Sequence, residues 1–226
     1  MTRASDGFTL VELLVVIAIL GLLAGLAIPV INRAQDSASR GVSVGNLKNV
    51  GIALQAYATD NSGALPGPCF NAVRPWYETN QGNYLGYQLY PYLMGGDRPK
   101  NQNVAELKPL IYPAFKKKRL ATNAPSYVLC ADYIFRGESV KPFGSVGSGN
   151  NADTPPWPLA RVAEFPGLFA AQEIDQKNGD PGEPDSIVAS RPSWHSRLPP
   201  EPVHGSTRST LYFDGSVRQV PIGQKP

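Results

Sequence analysis

Histidine is nearly absent from this chain. Only His195 and His204 occur in 226 residues, so one chain cannot assemble a multi-histidine metal site. Cysteine is as scarce: Cys69 and Cys130 lie too far apart for zinc spacing or a C-x-x-C redox pair. No G-x-S-x-G stretch is present, and no glycine-rich loop ends in Lys-Ser or Lys-Thr, so neither a nucleophile elbow nor a phosphate cradle is encoded. Charge is thin too. Charged residues make up 17% and the net charge is +3, too little to imply nucleic acid, and no nucleic-acid partner is expected. The one basic run, Lys116 to Arg119, reads as a solvated loop or element end. No internal repeat is visible.

Glycine and proline are plentiful, with 22 of each, which predicts a loop-rich fold of short elements. Apolar residues reach 42%, ample for one domain with a core and unlike a disordered chain. A disulfide between Cys69 and Cys130 is permitted if this region lies outside the cytoplasm. It is not required, and two separate buried thiols are the favoured reading.

The apolar residues are concentrated at the amino terminus. From Leu13 to Ile28 sixteen consecutive residues carry no charge, and the run reaches Ile31 with only Pro29 interrupting it. A bilayer core of ~30 Å needs about 20 apolar residues in a helix, so this segment is long enough to span. Its flanks do not suit a secretory signal peptide, because no small-x-small cleavage site follows. At its head stands Glu12, a carboxylate that costs energy in lipid unless something offsets it.

The stretch G-F-T-L-V-E, Gly7 to Glu12, resembles the processing site of type IV prepilins and type II secretion pseudopilins, with the resemblance extending to about Asn61. In that family a prepilin peptidase cuts after the glycine, here Gly7, and N-methylates the new terminus, here Phe8. The resemblance therefore implies a leader over residues 1–7 and a mature subunit of 219 residues starting at Phe8. It further implies a single-pass chain of the inner membrane whose helix, residues 8–31, packs with copies of itself and other pilin-like subunits in a fibre. Glu12 then faces the amino terminus of a neighbour and sets axial register. Pro29 marks a kink where the helix leaves the apolar core. The bland reading of Glu12 is a headgroup-level carboxylate with no partner.

Residues 32–62 read as the amphipathic second half of the same helix, since Leu47, Val50, Leu54 and Tyr57 recur on one face. It should stop near Asn61-Ser62-Gly63. Residues 63–226 are expected to form an extracytoplasmic head, periplasmic or at the cell surface. The expected fold is α+β and pilin-like, a long kinked helix packed on a carboxyl-terminal antiparallel sheet. Candidate strands are Ser126 to Phe135, Ser209 to Phe213 and Ser216 to Val220, and residues 141–158 and 175–186 read as loops.

The segment HGSTRSTLYFDG, His204 to Gly215, resembles the H-x9-DG motif found near the end of many pilin-like proteins. Asp214-Gly215 reads as a two-residue hairpin turn. His204, about ten extended residues away, is too distant to share a site and reads as a packing or capping residue. The one cofactor the sequence suggests is calcium. Asp175, Asp180, Glu183 and Asp185 supply four acids in a glycine-containing loop, and major pseudopilins have a calcium site in a loop of this character. The expected role is a fibre subunit and peptidase substrate, not an enzyme. The alternative is a membrane-anchored binding domain exported by the prepilin route, with Trp76, Tyr77, Trp157 and Trp194 available for carbohydrate.

Overall fold

The computed structural model describes residues 9–100, 105–130, 133–147, 149 and 151–226. The chain divides into two compact units, Met1–Ala38 and Ser39–Pro226. Helix α1, Leu10–Asp60, contributes to both. Its helical span continues through Pro29, although the ring removes one backbone donor. Helix α1 ends as its sequence demands. Ser62 and Gly63 adopt positive φ of 55° and 83°, and the Gly63 N–H returns 2.7 Å to the Ala58 carbonyl, closing the last turn in Schellman fashion.

Among the described residues nine strands follow: β1 (Ala72–Val73), β2 (Trp76–Tyr77), β3 (Ala105–Glu106), β4 (Tyr127–Leu129), β5 (Tyr133–Phe135), β6 (Glu138–Val140), β7 (Phe169–Glu173), β8 (Thr207–Tyr212) and β9 (Val217–Pro221). Short helices α2 (Leu85–Gln88), α3 (Tyr90–Met94), α4 (Pro113–Lys118) and α5 (Leu159–Val162) lie between them. The main sheet is antiparallel in the order β1-β4-β7-β8-β9. Two-stranded pairs β2–β3 and β5–β6 stand apart from it. Strand β9 forms one edge and ends in Pro221, a residue that sheets tolerate at edges because it lacks a donor.

The sheet is covered on both faces, and this governs its sequence. On one face Tyr127, Leu129, Ala171 and Leu211 join Leu47, Val50, Ala53 and Leu54 of α1 in the larger core. On the other, Val128, Phe169 and Tyr212 pack with Ile174, Ile187 and Leu198 from the long segment between β7 and β8. Both β4 and β7 are buried at every position, the signature of strands with no solvent side. Gly51 explains how α1 approaches so closely. A Cβ built there would lie 3.1 Å from a Leu211 methyl, tighter than ordinary van der Waals contact.

The expected strand over Ser126 to Phe135 is divided. It supplies β4 to the main sheet and β5 to a separate hairpin, with Ala131 and Asp132 outside the described residues. Of the two readings of the cysteines, the structure has the separate thiols and not the permitted disulfide: Cys69 and Cys130 are both free and buried, one in each core. Burial pushes the Cys69 thiol up to about 12, and Cys130 well above its ordinary range.

Candidate functional site

In the first unit every described residue, 9–38, is exposed. Leu10 to Ile31 thus present apolar side chains on all sides of the helix, and the stretch is long and apolar enough to cross a membrane. Its one carboxylate is held locally. Glu12 Oε2 accepts from the Thr9 N–H at 2.9 Å and the Thr9 hydroxyl at 2.8 Å, while the Glu12 N–H donates to Thr9 Oγ1 at 3.2 Å. This is a capping box, in which Thr9 and Glu12 reciprocally satisfy backbone donors that begin the helix. The T-x-x-E pattern of Thr9 and Glu12 is a sequence signal for this helix start that the two readings of Glu12 above did not include. Gly7 and Phe8 lie outside the described residues.

In the second unit, ionisable side chains meet inside the protein at the end of the sheet. On the α1 face, Glu173 Oε1 accepts a very short hydrogen bond from Ser43 Oγ, and Oε2 accepts the Ser209 N–H at 2.8 Å. His204 Nε2 lies 3.2 Å from Glu173 Oε1 with both side chains almost fully buried. That contact is within ion-pair range but does not form a hydrogen bond. The imidazole also stacks on Tyr112, with ring centroids 5.7 Å apart. Arg40 of α1 donates to the His204 carbonyl at 2.8 Å and Lys118 of α4 to the Val203 carbonyl at 2.7 Å. His204 therefore packs, as expected, and it does so as part of a polar seam joining α1 to the carboxyl-terminal strands.

On the opposite face Arg208, 2% exposed, bridges two carboxylates. It reaches Asp175 at 2.6 and 3.0 Å and Asp185 at 2.5 Å. The Asp185 oxygen also accepts the Gly223 N–H at 2.8 Å, which ties down the carboxyl-terminal tail. Burial works to raise the Asp185 carboxyl, but the Gly223 N–H and the Arg208 guanidinium outweigh it and hold it below the ordinary range. Burial likewise works against the Arg208 charge, and the two carboxylates overcome it. Buried charges persist when paired and hydrogen-bonded in this way.

The four acids expected to hold calcium are not brought together. Asp175 and Asp185 face Arg208, Asp180 pairs with Arg191, and Glu183 is exposed. Among the described residues no group of three or more His, Cys, Asp or Glu is placed to hold a metal ion. A guanidinium lies between the two buried acids, where a ligand set would need room for a cation.

The turn at Asp214-Gly215 is present, with three loop residues and not two. The Gly215 N–H donates to the Tyr212 carbonyl at 3.0 Å and the Tyr212 N–H to the Ser216 carbonyl at 2.9 Å. Gly215 takes φ +80°, the left-handed position that closes such a loop. Asp214 accepts the Ser216 N–H at 2.8 Å and an Arg218 N–H at 2.9 Å. Trp76, Tyr77, Trp157 and Trp194 are not one surface. Tyr77 and Trp157 are buried in separate cores, while Trp76 and Trp194 are partly exposed.

Residues 2–28, which include Gly7, Phe8 and Glu12, match the family described as the prokaryotic N-terminal methylation motif. Over that segment the chain is pilin-like. Type II secretion system core protein G of Pseudomonas aeruginosa is 42% identical over 59 residues, 26% of this chain and 42% of that protein. The corresponding protein of Klebsiella michiganensis is 43% identical over 63 residues, 27% of this chain and 44% of that one. The type IV major fimbrial protein FimA of Dichelobacter nodosus is 39% identical over 70 residues, 30% and 41% respectively. The chain thus spans about two fifths of the length of these relatives. No solved structure matches it. The pilin-like likeness leaves most of the head uncovered, so the Arg208 and Glu173 centres stand on geometry alone. Neither centre was singled out from sequence, because each pairs residues 23 or more positions apart.

Proposed function

We propose that the chain is a structural subunit of a type IV pilus-like or type II secretion pseudopilus fibre. The observation that carries this is the helix from Leu10 to Ile31, exposed and apolar on all sides, with one carboxylate at its head. A soluble helix is apolar on one stripe only; one apolar all round belongs in lipid or in a bundle of its own kind. Prepilin peptidase cleaves after Gly7 and methylates Phe8, so the chain is a substrate and building block. Before assembly it is a single-pass protein of the inner membrane with residues 63–226 outside the cytoplasm. Afterwards copies of it and other pilin-like subunits pack through the helix. Thr9 engages Glu12 Oε2, which leaves Oε1 for the amino terminus of a neighbour.

Gly7→Val should accumulate as full-length precursor without methyl-Phe8 by mass spectrometry. Glu12→Val should be cleaved normally yet fail to form fibres. A mature amino terminus beyond residue 31, or normal fibres from Glu12→Val, would refute the reading.

A further inference from the structure

The head has a polar pocket of about 240 Å³ that the fibre role does not use. Three partly or fully exposed rings, Phe70, Tyr84 and Trp194, form its aromatic walls. Phe70 and Tyr84 are in contact, with centroids 4.9 Å apart. Two arginines, Arg74 and Arg197, enter the same space, as do the carboxamides of Asn71 and Asn123, and no lining residue is acidic. The Arg74 guanidinium carbon lies over the Tyr84 ring, 4.1 Å from its centroid, and Arg74 pairs with Glu78 at 3.7 Å. The Arg197 backbone is fixed by bonds to Trp194 and Leu120. Its guanidinium makes no hydrogen bond or ion pair among the described residues.

These groups restrict what can bind. A cation is repelled by two guanidiniums. A wholly apolar ligand would leave guanidinium and carboxamide groups unpaired, at a desolvation cost. The volume equals that of about eight waters at ~30 Å³ each, enough for one six-membered sugar ring. Aromatic faces pack against the C–H surface of a pyranose, carboxamides meet its hydroxyls, and a guanidinium fork matches a carboxylate in bidentate geometry.

We propose that this pocket binds a uronic acid residue of an acidic polysaccharide, with Arg197 on the carboxylate and Trp194 under the ring. The site is independent of fibre assembly, so its test uses the full chain, unassembled, in detergent micelles. Tetragalacturonic acid is titrated calorimetrically against its methyl ester, which keeps the rings and lacks the carboxylates. The acid should bind, the ester at least tenfold more weakly. Arg197→Gln and Trp194→Ala should each weaken the acid at least tenfold, with Arg197→Lys intermediate. If Trp194→Ala fails to fold, Asn123→Leu takes its place. Absence of binding, equal binding of acid and ester, or undiminished binding by Arg197→Gln would overturn the proposal. The last of these would place the acid on the general basic surface, such as Lys116 to Arg119.

Discussion

Replacing Arg208 with methionine removes the one cation that faces two buried carboxylates. Its guanidinium contacts Asp175 at 2.6 Å and Asp185 at 2.5 Å, and all three side chains are 3% exposed or less. Solvent cannot take over. Deleting one partner of a buried pair costs about 3–5 kcal/mol, because the remaining charge is left uncompensated. Two carboxylates are stranded here, but backbone donors from Lys177 and Gly223 stay in place, so that range is the expectation. Against a typical total of about 5–15 kcal/mol, it is a large share. Urea unfolding of the full chain in detergent, followed by fluorescence of Trp157 and Trp194, measures it. The triple variant Arg208→Met, Asp175→Asn, Asp185→Asn removes all three charges together and should recover most of the loss. A cost below about 1 kcal/mol for Arg208→Met, or a triple variant as unstable as the single, would refute the argument.

Acid should probe the same centre. The Asp185 carboxyl is held below its ordinary range in the folded protein. Its contribution is therefore present above the unfolded value of about 3.9 and lost as pH falls through the lowered folded value. Wild type should lose stability across that window, and the triple variant should lose less. Millimolar calcium set against EDTA should leave the wild-type melting temperature unchanged, since Arg208 occupies both buried acids. Gly51→Val should lower the unfolding free energy measured in urea by about 1–3 kcal/mol through overpacking, because even a Cβ there lies 3.1 Å from Leu211. Both cysteines should resist alkylation in native protein and react on unfolding, with no mobility change on non-reducing gels, since both are buried free thiols.

Local signals carried much of the architecture. The apolar run from Leu13, the T-x-x-E start at Thr9 and the Asn61-Ser62-Gly63 stop are contiguous, so α1 was legible almost end to end. Asp214-Gly215 announced its hairpin for the same reason, although only the tertiary register settled three loop residues over two. Strand β7, Phe-Ala-Ala-Gln-Glu, was not legible. It lies inside the sheet with both faces covered, so it shows no alternation, and its polar end is buried because Ser43, Ser209 and His204 meet Glu173 there. The acidic loop was misleading in a related way. Four nearby acids suggest a cation, and a cation is present, but it is Arg208, delivered by a strand 23 residues beyond Asp185. Sequence alone determined the helix, its apolar character and its likeness to the N-terminal methylation motif, because those depend on neighbours in the chain. Only the tertiary structure decided which charges are buried and what neutralises them, because that depends on residues folding brings together from far apart.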